Sequence, residues 1–163
     1  MKCLFVCVLT VLTMSVMAQQ IKNQARVSGE ISYLIWTPKD YSQTGTSSPL
    51  LLFLHGAGER GEDLNKVKKW GPPRFIEEGG DLPFIVVAPQ CPSGKSWNVE
   101  ILKKLLDDVI ENNNVDQSRV YLTGLSMGGF GSFNLAIAYP DYFAAVAPIC
   151  GGGNASMAYK MKD

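Results

Sequence analysis

Ser126 is the residue of this sequence best placed to do covalent chemistry. It is the centre of Gly124-Leu125-Ser126-Met127-Gly128, a Gly-x-Ser-x-Gly pentapeptide that follows Val120-Tyr121-Leu122-Thr123 and precedes an apolar helical pattern. A strand that enters a helix through so tight a turn strains the backbone of its central residue. Glycines two positions to either side let strand and helix approach without clashing. The central hydroxyl then stands at the carboxyl edge of a sheet, within reach of a substrate carbonyl. A serine hydroxyl is a weak nucleophile at neutral pH. It needs a base to take its proton, an acid to orient that base, and donors for the oxyanion formed on attack. One donor in such a turn is the backbone N–H of the next residue, here Met127, which also opens a helix whose positive end favours developing negative charge. The second comes from a loop after an earlier buried strand. His55-Gly56-Ala57-Gly58 follows the apolar run Leu50-Leu51-Leu52-Phe53-Leu54. The N–H of Ala57 is the expected donor there, with Gly58 next. The plain structural alternative for Ser126 is an ordinary glycine-rich βα turn.

These groups need strands that end where they begin, and the sequence supplies them. Residues 30 to 37, entered from Gly29 and stopped by Pro38, read as a strand. Residues 39 to 49 read as a polar surface loop. Leu50–Leu54 and Phe84–Ala88 are continuous apolar runs, as suits strands buried on both faces of a parallel sheet. Asp63 is a plausible cap for a short helix ending near Trp70-Gly71, and a brief helix after Pro72-Pro73 is expected to end at Gly79-Gly80. Residues 98 to 113 carry Leu102, Leu105, Leu106, Val109 and Ile110 on one helical face. Arg119–Thr123 is the strand into Ser126, the helix from Met127 runs to about Tyr139, and Phe143–Ile149 is a last strand. Strands alternating with helices imply βαβ units, a mostly parallel sheet with helices on both faces, and ligands bound beyond the carboxyl ends of the strands.

Composition narrows the class. The chain has 163 residues, 46 % hydrophobic and 18 % charged, with 15 basic and 15 acidic side chains and no net charge. That describes one globular domain, and without a basic patch it excludes a nucleic-acid partner. Lys2, the apolar stretch Cys3–Met17 and the Val16-Met17-Ala18 site read as a secretory signal peptide cleaved after Ala18. Residues 19–163 then form the mature domain, secreted or periplasmic and without a stable membrane anchor. An uncleaved anchor is the alternative. Removal of the leader leaves Cys91 and Cys150 in an oxidising compartment.

Three segments together carry a family resemblance. They are Leu54-His55-Gly56-Ala57-Gly58-Glu59-Arg60-Gly61, Ala88-Pro89-Gln90-Cys91-Pro92 with Ser96-Trp97, and Leu122-Thr123-Gly124-Leu125-Ser126-Met127-Gly128-Gly129. In that order and spacing they resemble the α/β-hydrolase superfamily. More narrowly they resemble phospholipase/carboxylesterase-like and polyhydroxybutyrate-depolymerase-like esterases, a group that includes bacterial predicted peptidases. The similarity covers roughly residues 30 to 153. It implies an α/β-hydrolase fold and hydrolysis of carboxylic esters through an acyl-enzyme, with Ser126 as nucleophile and the amides of Met127 and Ala57, with Gly58, around the oxyanion. It implies small-molecule or polysaccharide-linked ester substrates, such as acetyl or feruloyl groups, and no cofactor or metal.

The family's acid and histidine do not carry over. The one histidine, His55, precedes the serine, and after Ser126 the acids are Asp141 and Asp163. The resemblance gives His55, with Gly56, the shaping of the oxyanion loop through bonds from its ring to nearby backbone. A bland histidine or a rewired base are the alternatives. Asp141, after Pro140, reads as a turn residue. On this reading the 163 residues are the N-terminal portion of a hydrolase domain, through the strand after the nucleophile turn, and are expected to be inactive or weak alone. Rival functions are a non-catalytic binding module on a hydrolase scaffold, and a serine peptidase or acyltransferase. Trp97 either lines the substrate pocket or simply packs. Glu59 and Arg60 pair to brace the loop, contact substrate, or are solvated. Trp70 and Phe75 are expected in the core or as caps. In the family's sheet the strands before Cys91 and Cys150 lie three positions apart, roughly 14 Å. That is beyond the ~7 Å of a disulfide, so the two thiols are expected not to pair with each other.

Overall fold

The structure is a computed structural model that describes residues 24–28 and 31–161. The expected leader, residues 1–18, lies outside the described residues. Six strands form one sheet: β1 (Gln24–Ser28), β2 (Ile31–Trp36), β3 (Ser48–Leu54), β4 (Ile85–Pro89), β5 (Val115–Leu125) and β6 (Ala145–Ile149). Their order is β1-β2-β4-β3-β5-β6. β1, β2 and β4 pair antiparallel, whereas β4, β3, β5 and β6 run parallel. The helices are α1 (Gly71–Glu77), α2 (Val99–Asn112) and α3 (Met127–Ala138), with 3₁₀ turns at Ala57–Glu59, Leu64–Lys69 and Ala155–Lys160. This is the mostly parallel α/β architecture expected from the alternation of strands and helices. Among the described residues no helix is long and apolar enough to cross a membrane.

The apolar runs build two cores because successive strand residues face opposite ways. Leu50, Leu52 and Leu54 of β3, with Ile85 and Val87 of β4, pack with Leu102, Leu105, Leu106 and Val109 of α2 and Leu135 of α3. Phe53 of β3, with Val86 and Ala88 of β4, packs on the other side with Val67 and with Ile76 of α1. Each such buried side chain contributes about 1.5–3 kcal/mol relative to exposure. Local signals set the boundaries. The Asn98 carboxamide oxygen accepts from the N–H groups of Glu100 and Ile101 and starts α2. Asp63 caps Leu64–Lys69 through Asn65 N–H, but that segment is 3₁₀ rather than α.

Two strands and two aromatic side chains also differ from expectation. β1 was not expected at all. β5 is 11 residues long rather than the five read from sequence. Its pairing with β3 shifts register between Ser48↔Val115 and Leu50↔Val120. The extra residues are folded into a local knot, where Asp116 accepts from Ser118 N–H and Oγ–H and from Arg119 Nε. Trp70 and Phe75 are exposed rather than core, and Trp70 is the N-cap residue of α1.

Candidate active site

All three segments singled out in the sequence meet at the carboxyl end of β3, β4 and β5. Ser126 sits between β5 and α3 with φ 55° and ψ −112°, a region a non-glycine residue occupies only under strain. Two hydrogen bonds hold it there. Ser126 N–H donates to Ile149 O of β6 at 2.8 Å, and Ser126 O accepts from Phe130 N–H at 3.0 Å. The flanking glycines are steric necessities. A Cβ on Gly124 would lie 2.8 Å from Ser132 Oγ and overlap the Gly128 carbonyl group, while a Cβ on Gly128 would overlap the Leu54 carbonyl at the end of β3. Helix α3 can therefore start directly over the sheet, and Ser126 is left exposed at its amino end.

The loop after β3 lies against this turn. A Cβ on Gly56 would come 3.8 Å from Ser126 Cβ. His55 is buried, 1 % exposed, and both ring nitrogens are engaged. Cys91 N–H donates to Nε2 at 3.1 Å, and Nδ1 lies 2.7 Å from Gly56 O. An amide can only donate, so Nε2 is the bare nitrogen and Nδ1 carries the proton donated to Gly56 O. The ring is thus neutral, with no lone pair left for Ser126. The Gly56–Ala57 peptide is trans, so its N–H points opposite to its carbonyl. By holding Gly56 O, the His55 ring at 2.7 Å and Glu59 N–H at 3.3 Å turn Ala57 N–H to the far side. Among the described residues that N–H meets no backbone acceptor. Gly58 is exposed with open space on its Cβ side.

A second loop, residues 90–97, is fastened to this one. Five hydrogen bonds cross between them: Cys91 N–H to His55 Nε2, Gly61 N–H to Cys91 O, Gln90 Nε2 to Glu59 O, Arg60 Nη1 to Lys95 O and Trp97 Nε1 to His55 O. The Trp97 ring also meets His55 edge-on, centroids 4.8 Å apart. Trp97 rests on Gly131 of α3, where a Cβ would approach its ring to 2.7 Å. Trp97, Ser126, Met127 and Phe130 line a cavity of about 370 Å³. A larger hollow of about 480 Å³ lies at the opposite end of the sheet, among Ser48, Phe84 and Arg119, away from these groups.

Glu59 and Arg60 do not pair with each other. The buried Glu59 carboxylate accepts from Trp70 Nε1 at 3.2 Å and sits 3.8 Å from Lys69 Nζ. Arg60 instead spans backbone carbonyls, Nε to Ala57 O and Nη1 to Lys95 O. Trp70 is 41 % exposed, between Lys69 and Arg74. Asp141 is exposed in the turn after α3. Cys91 is buried and Cys150 exposed, both as free thiols, on loops after β4 and β6 with β3 and β5 between them.

Burial holds the His55 pKa below its ordinary value, outweighing the Gly56 carbonyl and the Glu59 carboxylate, which favour the charged ring. The unfolded chain therefore binds this proton more readily than the folded one, so stability rises with pH across the titration. His55 is the sole histidine. The chain should keep its full stability above about pH 6.5 and lose it progressively as pH falls below that value. Urea midpoints at pH 7.5, 6.5 and 5.5 should decline more steeply for the native chain than for His55→Asn. Parallel declines would mean that protonation of His55 opens nothing.

A model of the family described as Putative esterase matches residues 25–157. Poly(3-hydroxyalkanoate) depolymerase C of Paucimonas lemoignei is 31 % identical over 150 residues, covering 82 % of this chain and 34 % of the depolymerase. The bifunctional acetylxylan esterase/xylanase of Neocallimastix patriciarum is 32 % identical over 120 residues, covering 69 % of this chain and 17 % of that protein. The crystal structure of a thermostable esterase superposes with a TM-score of 0.71 at 31 % identity, covering 87 % of this chain and 44 % of that one. This chain thus spans about a third or less of the two curated relatives.

Proposed function

Because the chain belongs to the Putative esterase family of α/β-hydrolases, we propose that Ser126 is the nucleophile of a serine hydrolase that cleaves carboxylic esters through an acyl-enzyme. The observation that carries this reading is the Ser126 backbone, held at φ 55° between two obligatory glycines, with its side chain exposed at the start of α3. Strain of this kind persists only where surrounding structure enforces it. In the proposed reaction Ser126 Oγ attacks the ester carbonyl carbon, and the carbonyl oxygen takes the charge. The N–H groups of Met127 and Ala57 receive that oxygen, with Gly58 as the adjacent donor. The C–O bond to the alcohol breaks as the serine proton passes to the departing alkoxide. Water then adds to the acyl carbon, one of its protons returns to Ser126 Oγ, and the acid is released. Each oxyanion donor is worth about 2.7–4 kcal/mol of barrier. His55 and Gly56 orient the Ala57 amide rather than take the serine proton.

The relatives' names support ester-linked polymer substrates such as acetylated xylan or poly(3-hydroxyalkanoate), polymers that suit an exported site of action. An 18-residue cleaved leader fits that location. One observation favours a second reading. The single histidine has both nitrogens committed to backbone, which suits a binding module on a hydrolase scaffold. A fluorophosphonate probe separates the two. On the hydrolase reading mass spectrometry finds the adduct on Ser126, and acetyl and feruloyl esters compete with labelling. A full-length protein that binds such esters but never labels is a binding module.

A further inference from the structure

A second cavity shares Trp97 with the one at Ser126 but not the nucleophile. It holds about 340 Å³ and is built against α2 and the start of β2 rather than α3. Its apolar walls are Ile31, Cys91, Pro92, Trp97, Ile101 and Leu102. Leu102 is fully buried and Cys91 is 2 % exposed. Burial raises the Cys91 pKa, so the thiol stays protonated and acts as one more apolar surface. Interiors keep few voids larger than a water molecule, and this one falls in the size range of small-ligand sites. Water gains little there, because it needs polar partners and the one strong donor of these walls, the Trp97 indole, is committed to His55 O.

Charge enters this cavity from one direction. Lys95 is exposed on its border, and its ammonium has no partner among the described residues. Asn98, also on the border, gives its carboxamide oxygen to the cap of α2, while its Nδ2 hydrogens have no partner among the described residues. The amino end of the 14-residue α2 begins at Asn98 and adds positive potential. Among the described residues no acidic side chain borders the cavity.

We propose that this cavity binds an aliphatic monocarboxylate of medium chain length. Its hydrocarbon tail lies among Ile31, Cys91, Ile101 and Leu102, and its carboxylate meets Lys95 Nζ and Asn98 Nδ2. One uncommitted cation matches one negative charge. A flexible chain suits walls that are mostly branched aliphatics, whose one ring, Trp97, already meets His55 edge-on. Neither Lys95 nor Asn98 borders the Ser126 cavity, so the site does not depend on Ser126 being a nucleophile.

Calorimetric titration of the chain with octanoate, hexanoate, 1-octanol and octylamine tests this. Octanoate should bind tightest, hexanoate about fifteenfold more weakly for the two methylenes it lacks, and octylamine not at all. Lys95→Gln should weaken octanoate about tenfold and leave octanol unchanged. That variant keeps the fold, because Arg60 holds the Lys95 backbone carbonyl and not its side chain. Octanoate should also shield Cys91. At about ten times its dissociation constant it should slow modification of Cys91 by methyl methanethiosulfonate about tenfold. The exposed Cys150 should react at its unliganded rate, and peptide mass spectrometry reads both. Octanol or octylamine binding as tightly as octanoate would overturn the proposal, and so would no binding of octanoate. Octanoate that binds but leaves Cys91 open to the reagent sits elsewhere, which sinks the assignment too. Fluorophosphonate labelling is independent of all this. A chain that never labels but shields Cys91 loses the hydrolase reading and keeps this site.

Discussion

Gly128→Ala should destabilise the chain severely. Its Cβ would overlap the Leu54 carbonyl and approach His55 O to 2.9 Å. Neither carbonyl can withdraw, because β3 is clamped between β4 and β5 and the residue after it is pinned by its own ring. Helix α3 cannot withdraw either, since Gly124 and Gly129 make comparable approaches to Gly128 and to Gly151. Overpacking against rigid backbone on both sides exceeds the usual 1–3 kcal/mol of a core insertion, and a loss on the order of 4 kcal/mol or more is expected. That consumes most of the stability of a domain at the low end of the usual 5–15 kcal/mol. Gly58→Ala is the matched control, with nothing within 4 Å of the added carbon and an expected change within about 0.5 kcal/mol. Urea unfolding followed by circular dichroism compares them. Equal midpoints would mean that α3 does not sit on the end of β3 as described.

His55→Ala should cost less stability and more reactivity. It removes the acceptor of Cys91 N–H and the donor to Gly56 O, both buried, and leaves a void beside Trp97. Two broken buried hydrogen bonds and a cavity sum to about 3 kcal/mol. Without the ring, Gly56 O keeps only the 3.3 Å hydrogen bond from Glu59 N–H, and the Ala57 amide is held less firmly. If that amide is an oxyanion donor, Ser126 should react with a fluorophosphonate about 10²–10³ times more slowly. A variant that stays folded and labels at the native rate would show that the loop's orientation does not depend on the ring.

Much of this arrangement was legible in residue order. Leu50–Leu54 and Phe84–Ala88 announced central strands because unbroken apolar runs have few other uses. Gly124, Ser126 and Gly128 announced a turn because the spacing has a steric reason. What stayed hidden depends on partners distant in sequence. β1 is short, and its residues form a strand only by pairing with β2. Val115-Asp116-Gln117-Ser118 reads as a turn and is one locally, yet it lies within β5 because Ser48 pairs with Val115. Trp70 looks like a core residue, but its indole N–H is drawn to Glu59 and its ring lies beside two cations at the surface. Glu59 and Arg60, adjacent and opposite in charge, invited a pairing that each forgoes for partners elsewhere. Phe130 and Asn134 carry no motif that marks them as bordering the cavity at Ser126. Their positions follow from the helix phase set by Ser126, four residues to Phe130 and eight to Asn134, which a count from the turn would have found.

The two loops that end β3 and β4 share five hydrogen bonds across a gap of some thirty residues. For anyone transplanting this pocket onto another scaffold, they are therefore one part rather than two. Swapping residues 55–61 alone would remove the imidazole that accepts from Cys91 N–H and, wherever the new loop takes another path, shift the carbonyls that Gln90 and Trp97 reach. Swapping 90–97 alone would likewise shift Cys91 N–H and Lys95 O away from His55 and Arg60. Libraries that diversify the two segments independently should yield mostly dead clones, whereas paired exchange of both from a single donor should survive.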